Sequence, residues 1–149
     1  MNYIIPCISA LLGSLGFAFL YNIHGKNVFV SSFCGLVSWF IYLLTYDIFK
    51  SSVTAFMFSG MAVAIYSEIS AIIFKTPITV YLITGIIPLV PGTTIYRTME
   101  ACIRGNFDLF GEGLINTLKI GGAITIGLLL ATTIFRFVKN VAFKIKKQL

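Results

Sequence analysis

The chain has 149 residues, of which 58% are hydrophobic and only 11% are charged, and its formal net charge at pH 7 is +6. A soluble domain of this length could not bury so much apolar surface in one core, so most side chains must face lipid. The basic residues do not form a stripe interleaved with aromatic side chains, which excludes a nucleic-acid-binding module. Cys7, Cys34 and Cys102 are far apart, and the chain lacks the common catalytic motifs. We therefore expect no metal, no cofactor and no enzymatic activity.

About five apolar stretches, each of roughly 19 residues or more, are long enough to cross about 30 Å of hydrocarbon as helices. Short polar segments connect them, so neighbouring helices should run antiparallel. The sequence therefore predicts a single all-α domain, a polytopic membrane protein of about five transmembrane helices. The predicted spans are residues 3–21, 28–48, 51–74, 78–103 and 114–138.

Basic residues are concentrated after the last apolar stretch, in the predicted tail of residues 139–149. The positive-inside rule places such a tail in the cytoplasm. With an odd number of spans, the N-terminus is then outside. No basic residue precedes the first apolar stretch, so we expect that stretch to be kept as a span and not cleaved as a signal peptide.

Small residues recur at helical spacing on the first and last stretches, where they allow helices to approach closely. Two interpretations are open: these residues pack the bundle internally, or they form a face for another subunit, including a second copy in a homo-oligomer. The residues are Ala10, Ser14 and Ala18 on the first stretch, and Thr117, Gly121 and Thr125 on the last.

The fourth stretch contains two prolines and a glycine near its middle. Pro88 and Pro91 cannot donate backbone hydrogen bonds, and their rings clash with the carbonyl groups one turn earlier. Gly92 can adopt the backbone angles that close a helix, and Thr93 or Thr94 can cap the next one. The sequence therefore predicts that the fourth helix is broken between Pro88 and Gly92.

A break inside the hydrocarbon leaves polar backbone atoms without partners, which is tolerated only where protein or a water-filled cavity surrounds them. In secondary transporters, the positive N-terminal end of a half-helix often points at an anionic group of the substrate. A kink that serves packing alone is the alternative interpretation. The predicted substrate-binding residues are Pro88, Pro91, Gly92, Thr93, Thr94, Tyr96 and Arg97.

Charged residues near this segment are candidates for ion or proton coupling. Arg97, Glu100 and Arg104 fall on one face of a helix, where Glu100 can pair with either arginine. The alternative is an amphipathic helix whose charges are solvated at the membrane interface. Glu68, inside the third stretch, is a second candidate, because a carboxylate within a span needs a cavity or a partner. The alternative is that Glu68 pairs with Lys75 or reaches the cytoplasmic interface.

Residues 75–92, followed by Tyr96 and Met99, resemble the signature of the threonine/serine exporter family in its small, split-subunit form. Residues 16–22, the chain length and the position of the proline motif add to the resemblance. The resemblance implies a bacterial inner-membrane protein that works with a separately encoded larger membrane subunit. It also implies export of threonine, serine or, in some relatives, a dicarboxylate.

Two positions depart from the family pattern. Thr84 stands where many relatives have another proline, which softens the expected break, and Ile72 stands where a basic residue is common. The second departure leaves Glu68 without a basic neighbour one turn away. The leading hypothesis is the small subunit of a two-component secondary exporter of carboxylate-bearing solutes, embedded in the lipid bilayer. The alternative is a non-transporting membrane scaffold or assembly partner.

Overall fold

A computed structural model of the chain describes the backbone of residues 3–148 and the side chains of residues 3–139. Helices are the only regular elements in this part of the chain, which confirms the all-α, polytopic prediction. In chain order they are α1 (Ile4–Leu20), α2 (Lys26–Phe49), α3 (Ser52–Phe74), α4 (Thr79–Ile86), a short 3-10 helix (Ile87–Leu89), α5 (Gly92–Ile103) and α6 (Phe107–Gln148).

Three helices, α2, α3 and α6, are long and apolar enough to cross a membrane. The segments 79–89 and 92–103 are bent by 53° relative to each other and make a fourth span if they are counted together. Helix α1 is apolar but has 17 residues, so a fifth span there stays a prediction. The side chains of the predicted basic tail beyond Lys139 lie outside the described residues, and the orientation of the termini stays a prediction.

Tight turns connect the central helices, as the short polar segments predicted. Lys50 ends α2 and Lys75 ends α3, and both residues have positive φ angles, 51° and 52°. A left-handed residue at this position terminates a helix and reverses the chain within a few residues. Helices α2 and α3 are therefore antiparallel neighbours, and α4 returns along both of them.

The last helix begins earlier than the apolar pattern indicated. The polar stretch after Arg104, expected to be a connection, is helical from Phe107 onward. The Asn106 side chain accepts a hydrogen bond from the Leu109 backbone amide (3.2 Å), and Asp108 lies in the first turn. An asparagine cap and an early acidic residue both stabilise a helix start, so this polar stretch is the first part of α6.

Helix α3 occupies the centre of the bundle, in contact with α2, α4 and α6. Glycines bring α3 and α6 together, because a Cβ atom on Gly60 would lie 2.8 Å from the Ile124 carbonyl oxygen. A Cβ atom on Gly127 would overlap the Met57 carbonyl oxygen. Helix α5 stands apart from α1 to α4. Among the described residues, α6 is the only helix against which α5 packs extensively.

The two small-residue stripes have different surroundings. Ala10, Ser14 and Ala18 are buried inside the bundle, which supports the internal-packing interpretation for α1. On α6, Thr125 is exposed, and a Cβ atom added to Gly121 would meet nothing within 4 Å. Both interpretations therefore stay open for the α6 stripe.

The interior of the bundle combines a small apolar cluster with many buried hydroxyl groups. Every buried side-chain nitrogen or oxygen among the described residues has a hydrogen-bond partner. The polar interior is therefore satisfied by protein, as a membrane environment requires. The apolar cluster consists of Cys34, Phe56, Val63, Leu89, Ile120, Ala123 and Ile124.

Candidate functional site

The break in the fourth helix lies where the two prolines predicted it. The chain tightens into the 3-10 helix at Pro88, becomes extended at Val90 (φ −61°, ψ 124°) and starts α5 at Gly92. On α4, just before the break, Gly85 packs against Val63, which lies near the midpoint of α3. The break therefore lies between the middle of the bundle and the end that carries the α2–α3 turn.

The carbonyl groups released by the prolines are satisfied within the protein. The Ser14 hydroxyl of α1 donates to the Thr84 carbonyl oxygen (3.1 Å), which has no amide partner because residue 88 is proline. The Ile87 carbonyl accepts from the Val90 amide at 3.2 Å. Of the two surroundings that tolerate such a break, protein and a water-filled cavity, these two carbonyls therefore have protein, since the Ser14 hydroxyl and the Val90 amide donate to them.

Next to the break, the backbone amides without a partner are those at the start of α5. The Gly92 amide donates to the Val90 carbonyl (2.7 Å) and the Ile95 amide to the Pro91 carbonyl (3.0 Å). No hydrogen bond involves the amides of Thr93 or Thr94 in the described part of the chain. The prediction that one of these threonines caps α5 is wrong: Pro91 occupies the cap position, and no side chain caps the helix.

Two adjoining cavities lie at the start of α5. The larger, which we call the α5–α6 cleft, has a volume of about 560 Å³ and is lined by Thr93, Thr94, Arg97, Thr98, Ala101, Leu109, Glu112, Gly113 and Asn116. The smaller, which we call the break cavity, has a volume of about 250 Å³ and is lined by Trp39, Tyr42, Ser52, Phe56, Pro88, Val90, Pro91, Gly92, Thr93, Thr94, Asn116 and Ile120. Both are lined by Thr93, Thr94 and Asn116, so they adjoin.

Six of the seven predicted binding residues line one or both cavities. Thr93 and Thr94 line both, and Arg97 lines the α5–α6 cleft. Tyr96 is the exception, because it lies on a different face of α5, is 69% exposed and lines neither cavity. The remaining three, which line the break cavity, are Pro88, Pro91 and Gly92.

The candidate coupling residues are not brought to the cleft. Glu100 pairs with Arg104 on the surface of α5 (2.7 Å) and not with Arg97. Glu68 is half-buried on α3, makes no ion pair with Lys75 among the described residues, and lines neither cavity. A coupling role for either carboxylate stays a prediction without support from their positions.

The wall that α6 contributes was missed by the sequence reasoning. Glu112 and Asn116 are one helical turn apart and line the same cleft as Arg97, and Gly113 lies between them. A Cβ atom on Gly113 would overlap the Thr98 hydroxyl, so the glycine allows the two helices to approach. The signal that could have found this wall is the Asn106 cap, because a helix starting there puts Glu112 and Asn116 on one face.

The charges of the cleft are opposite and separate. The ion pairs among the described residues are Lys50 with Asp47 and Arg104 with Glu100, and neither Arg97 nor Glu112 takes part in one. The described residues contain no group of three or more side chains that could hold a metal ion. The cleft is thus lined by one guanidinium, one carboxylate and one carboxamide, together with the two threonines at the start of α5.

Comparison with known families finds one match, which covers most of the chain. A family model described as "Threonine/Serine exporter, ThrE" matches residues 6–134, a range that includes every helix from α2 to α5 and the whole cleft. No curated protein and no solved structure gives a significant match. The family consists of transporters and not enzymes, in agreement with the motif-based expectation. The chain belongs to the threonine/serine exporter family.

Proposed function

We propose that this chain is the small subunit of a two-component secondary exporter, and that the α5–α6 cleft binds the carboxylate of a small metabolite such as threonine or serine. The observation that carries the proposal is the shared wall formed by Arg97 and the unpaired amides of Thr93 and Thr94. A guanidinium binds a carboxylate with two parallel hydrogen bonds, and the first turn of a helix adds amide donors and a positive dipole end.

The position of α5 supports a transport step. Helix α5 is joined to α4 through a 53° bend and packs extensively only against α6. A half-helix with few contacts to the bundle can tilt as a rigid body about the break, whereas α4 is fixed by α2 and α3. Tilting of α5 would open the cleft to one side of the membrane and close it to the other, as alternating access requires.

The exposure of the cleft supports a second subunit. Gly92, Thr93 and Arg97 are exposed although they line the cavities, so this chain encloses only part of the space around a solute. Ligand sites usually bury most of the ligand surface. The family resemblance implies a larger membrane subunit. Such a subunit, packed over α5, would complete the enclosure of the solute.

The test is efflux of radiolabelled threonine from vesicles that contain this chain together with the larger family subunit. We expect Arg97→Ala to reduce threonine affinity by at least about tenfold, because it removes a charged hydrogen-bond donor. We expect Pro91→Ala to slow transport, because it restores an amide donor at the break. Arg104→Ala is the matched control, since Arg104 belongs to the same helix but pairs with Glu100 at the surface.

Unchanged efflux in the double variant Pro91→Ala, Arg97→Ala would remove the cleft as the binding site. A chain that forms a stable complex with the larger subunit, yet whose presence never alters threonine flux, would favour the scaffold alternative.

A further inference from the structure

We infer that Glu112 determines the charge class of the solute: it binds the ammonium group of a zwitterion whose carboxylate is held by Arg97. This inference rests on the proposed function, because it assigns the second wall of the same cleft. Arg97 belongs to α5 and Glu112 to α6, and both line the α5–α6 cleft without forming an ion pair with each other.

The separation of the two charges is what selects a dipolar solute. Had Arg97 and Glu112 formed an ion pair, each charge would already be satisfied within the protein and would be less available to a solute. Instead, the Arg97 guanidinium and the Glu112 carboxylate line the same space of about 560 Å³ without pairing, and this space is large enough for a small solute with some of its water. A zwitterion can satisfy both walls at once. A dicarboxylate would bring a second negative charge toward the Glu112 carboxylate, and like charges oppose binding.

The other acidic groups at this end of the molecule are not available for the role. Glu100 is engaged by Arg104, and neither residue lines the cleft. Asp108 lies in the first turn of α6 and also does not line the cleft. Asn116 lines it one turn beyond Glu112, and its carboxamide can bond to either kind of charged group without selecting between them.

The test compares threonine with 3-hydroxybutyrate, the same carbon skeleton without the ammonium group, as competitors in the vesicle efflux assay with the larger subunit present. We expect the native chain to prefer threonine by at least about tenfold, as an interaction between charged groups implies. In Glu112→Gln, that preference should be lost because threonine binds more weakly while 3-hydroxybutyrate does not. Succinate, a dicarboxylate, should compete better in Glu112→Gln than in the native chain.

Two further variants keep the inference separate from the proposed function and from folding. Glu112→Asp keeps the negative charge and should retain part of the preference, and Asp108→Asn should leave it unchanged. If Glu112→Gln retains the full preference for threonine while Arg97→Ala weakens both ligands, the assignment of Glu112 is wrong and the proposed function stands. If Arg97→Ala also leaves both ligands unaffected, the proposed function is wrong as well.

Discussion

The bundle, formed by α1 to α4 with the part of α6 that packs on α3, and the end of the molecule where α5 meets the start of α6 both contain polar residues, but they use them differently. In the bundle, hydroxyl groups donate to backbone carbonyls: Ser14 to Thr84, and Thr84 to Ser31 at 3.2 Å. At the α5–α6 end, Arg97 and Glu112 face a cleft and belong to no ion pair among the described residues. These hydroxyl bonds in the bundle join one helix to another, whereas Arg97 and Glu112 line the cleft without joining α5 to α6 through an ion pair.

The difference follows from how closely the helices approach. Glycine and serine bring α1, α2, α3 and α6 within reach of each other's backbones, so little space is left beside a hydroxyl group. Helices α5 and α6 touch closely at Gly113 and Thr98, and a cleft remains beside this contact. An ionisable group within a membrane protein is tolerated when it faces such a cavity.

The largest effect is expected at the glycine that lies closest to the backbone of another helix. Gly127→Ala places a methyl group against the Met57 carbonyl, so α3 and α6 must separate, at a cost of about 3 kcal/mol or more. Thermal unfolding in detergent micelles would measure the loss. The control is Gly122→Ala on the same helix, where an added Cβ meets nothing within 4 Å and the substitution should be neutral or stabilising. Equal stability of the two variants would contradict the close contact.

A smaller loss of stability is expected at the hydrogen bond that seals the break. Ser14→Ala leaves the Thr84 carbonyl without its donor and should cost about 1 to 2 kcal/mol, near the values found for buried groups in membranes. Ser9→Ala is the control, because Ser9 is exposed and bonds only to its own helix at the Ile5 carbonyl. If both variants unfold at the same temperature, Ser14 does not seal the break.

The smallest effect on stability is expected for a substitution that changes the shape of the α5–α6 cleft. Gly113→Ala forces the Thr98 side chain to move, so we expect a loss of about 1 kcal/mol or less with weaker threonine binding. The double variant Gly113→Ala, Thr98→Ala removes the clashing hydroxyl and should restore binding. Threonine efflux, measured beside thermal stability, separates the two quantities. Failure of the double variant to recover would show that the α5–α6 contact does not shape the cleft.

Much of the site could be predicted from the sequence because proline and glycine act locally. Pro88, Pro91 and Gly92 dictate a break by their own backbone chemistry, and the break brings Thr93 and Thr94 to the start of a helix. Glu112 and Asn116 could not be assigned in this way. Their role depends on which face of α6 meets α5, and that is decided by the close approach at Gly113.

The sequence by itself determined that this chain belongs in a membrane, that it is helical, and that its fourth helix is broken, because apolar content and proline chemistry are properties of the residues themselves. Only the tertiary structure decided which polar atoms stay available. Ser14 takes the carbonyl freed by Pro88, and Arg104 takes Glu100, so that Arg97 and Glu112 are left facing a shared cleft. The Ser14 bond and the shared cleft depend on the distance between helices, which no local pattern encodes, whereas Glu100 and Arg104 are only one helical turn apart.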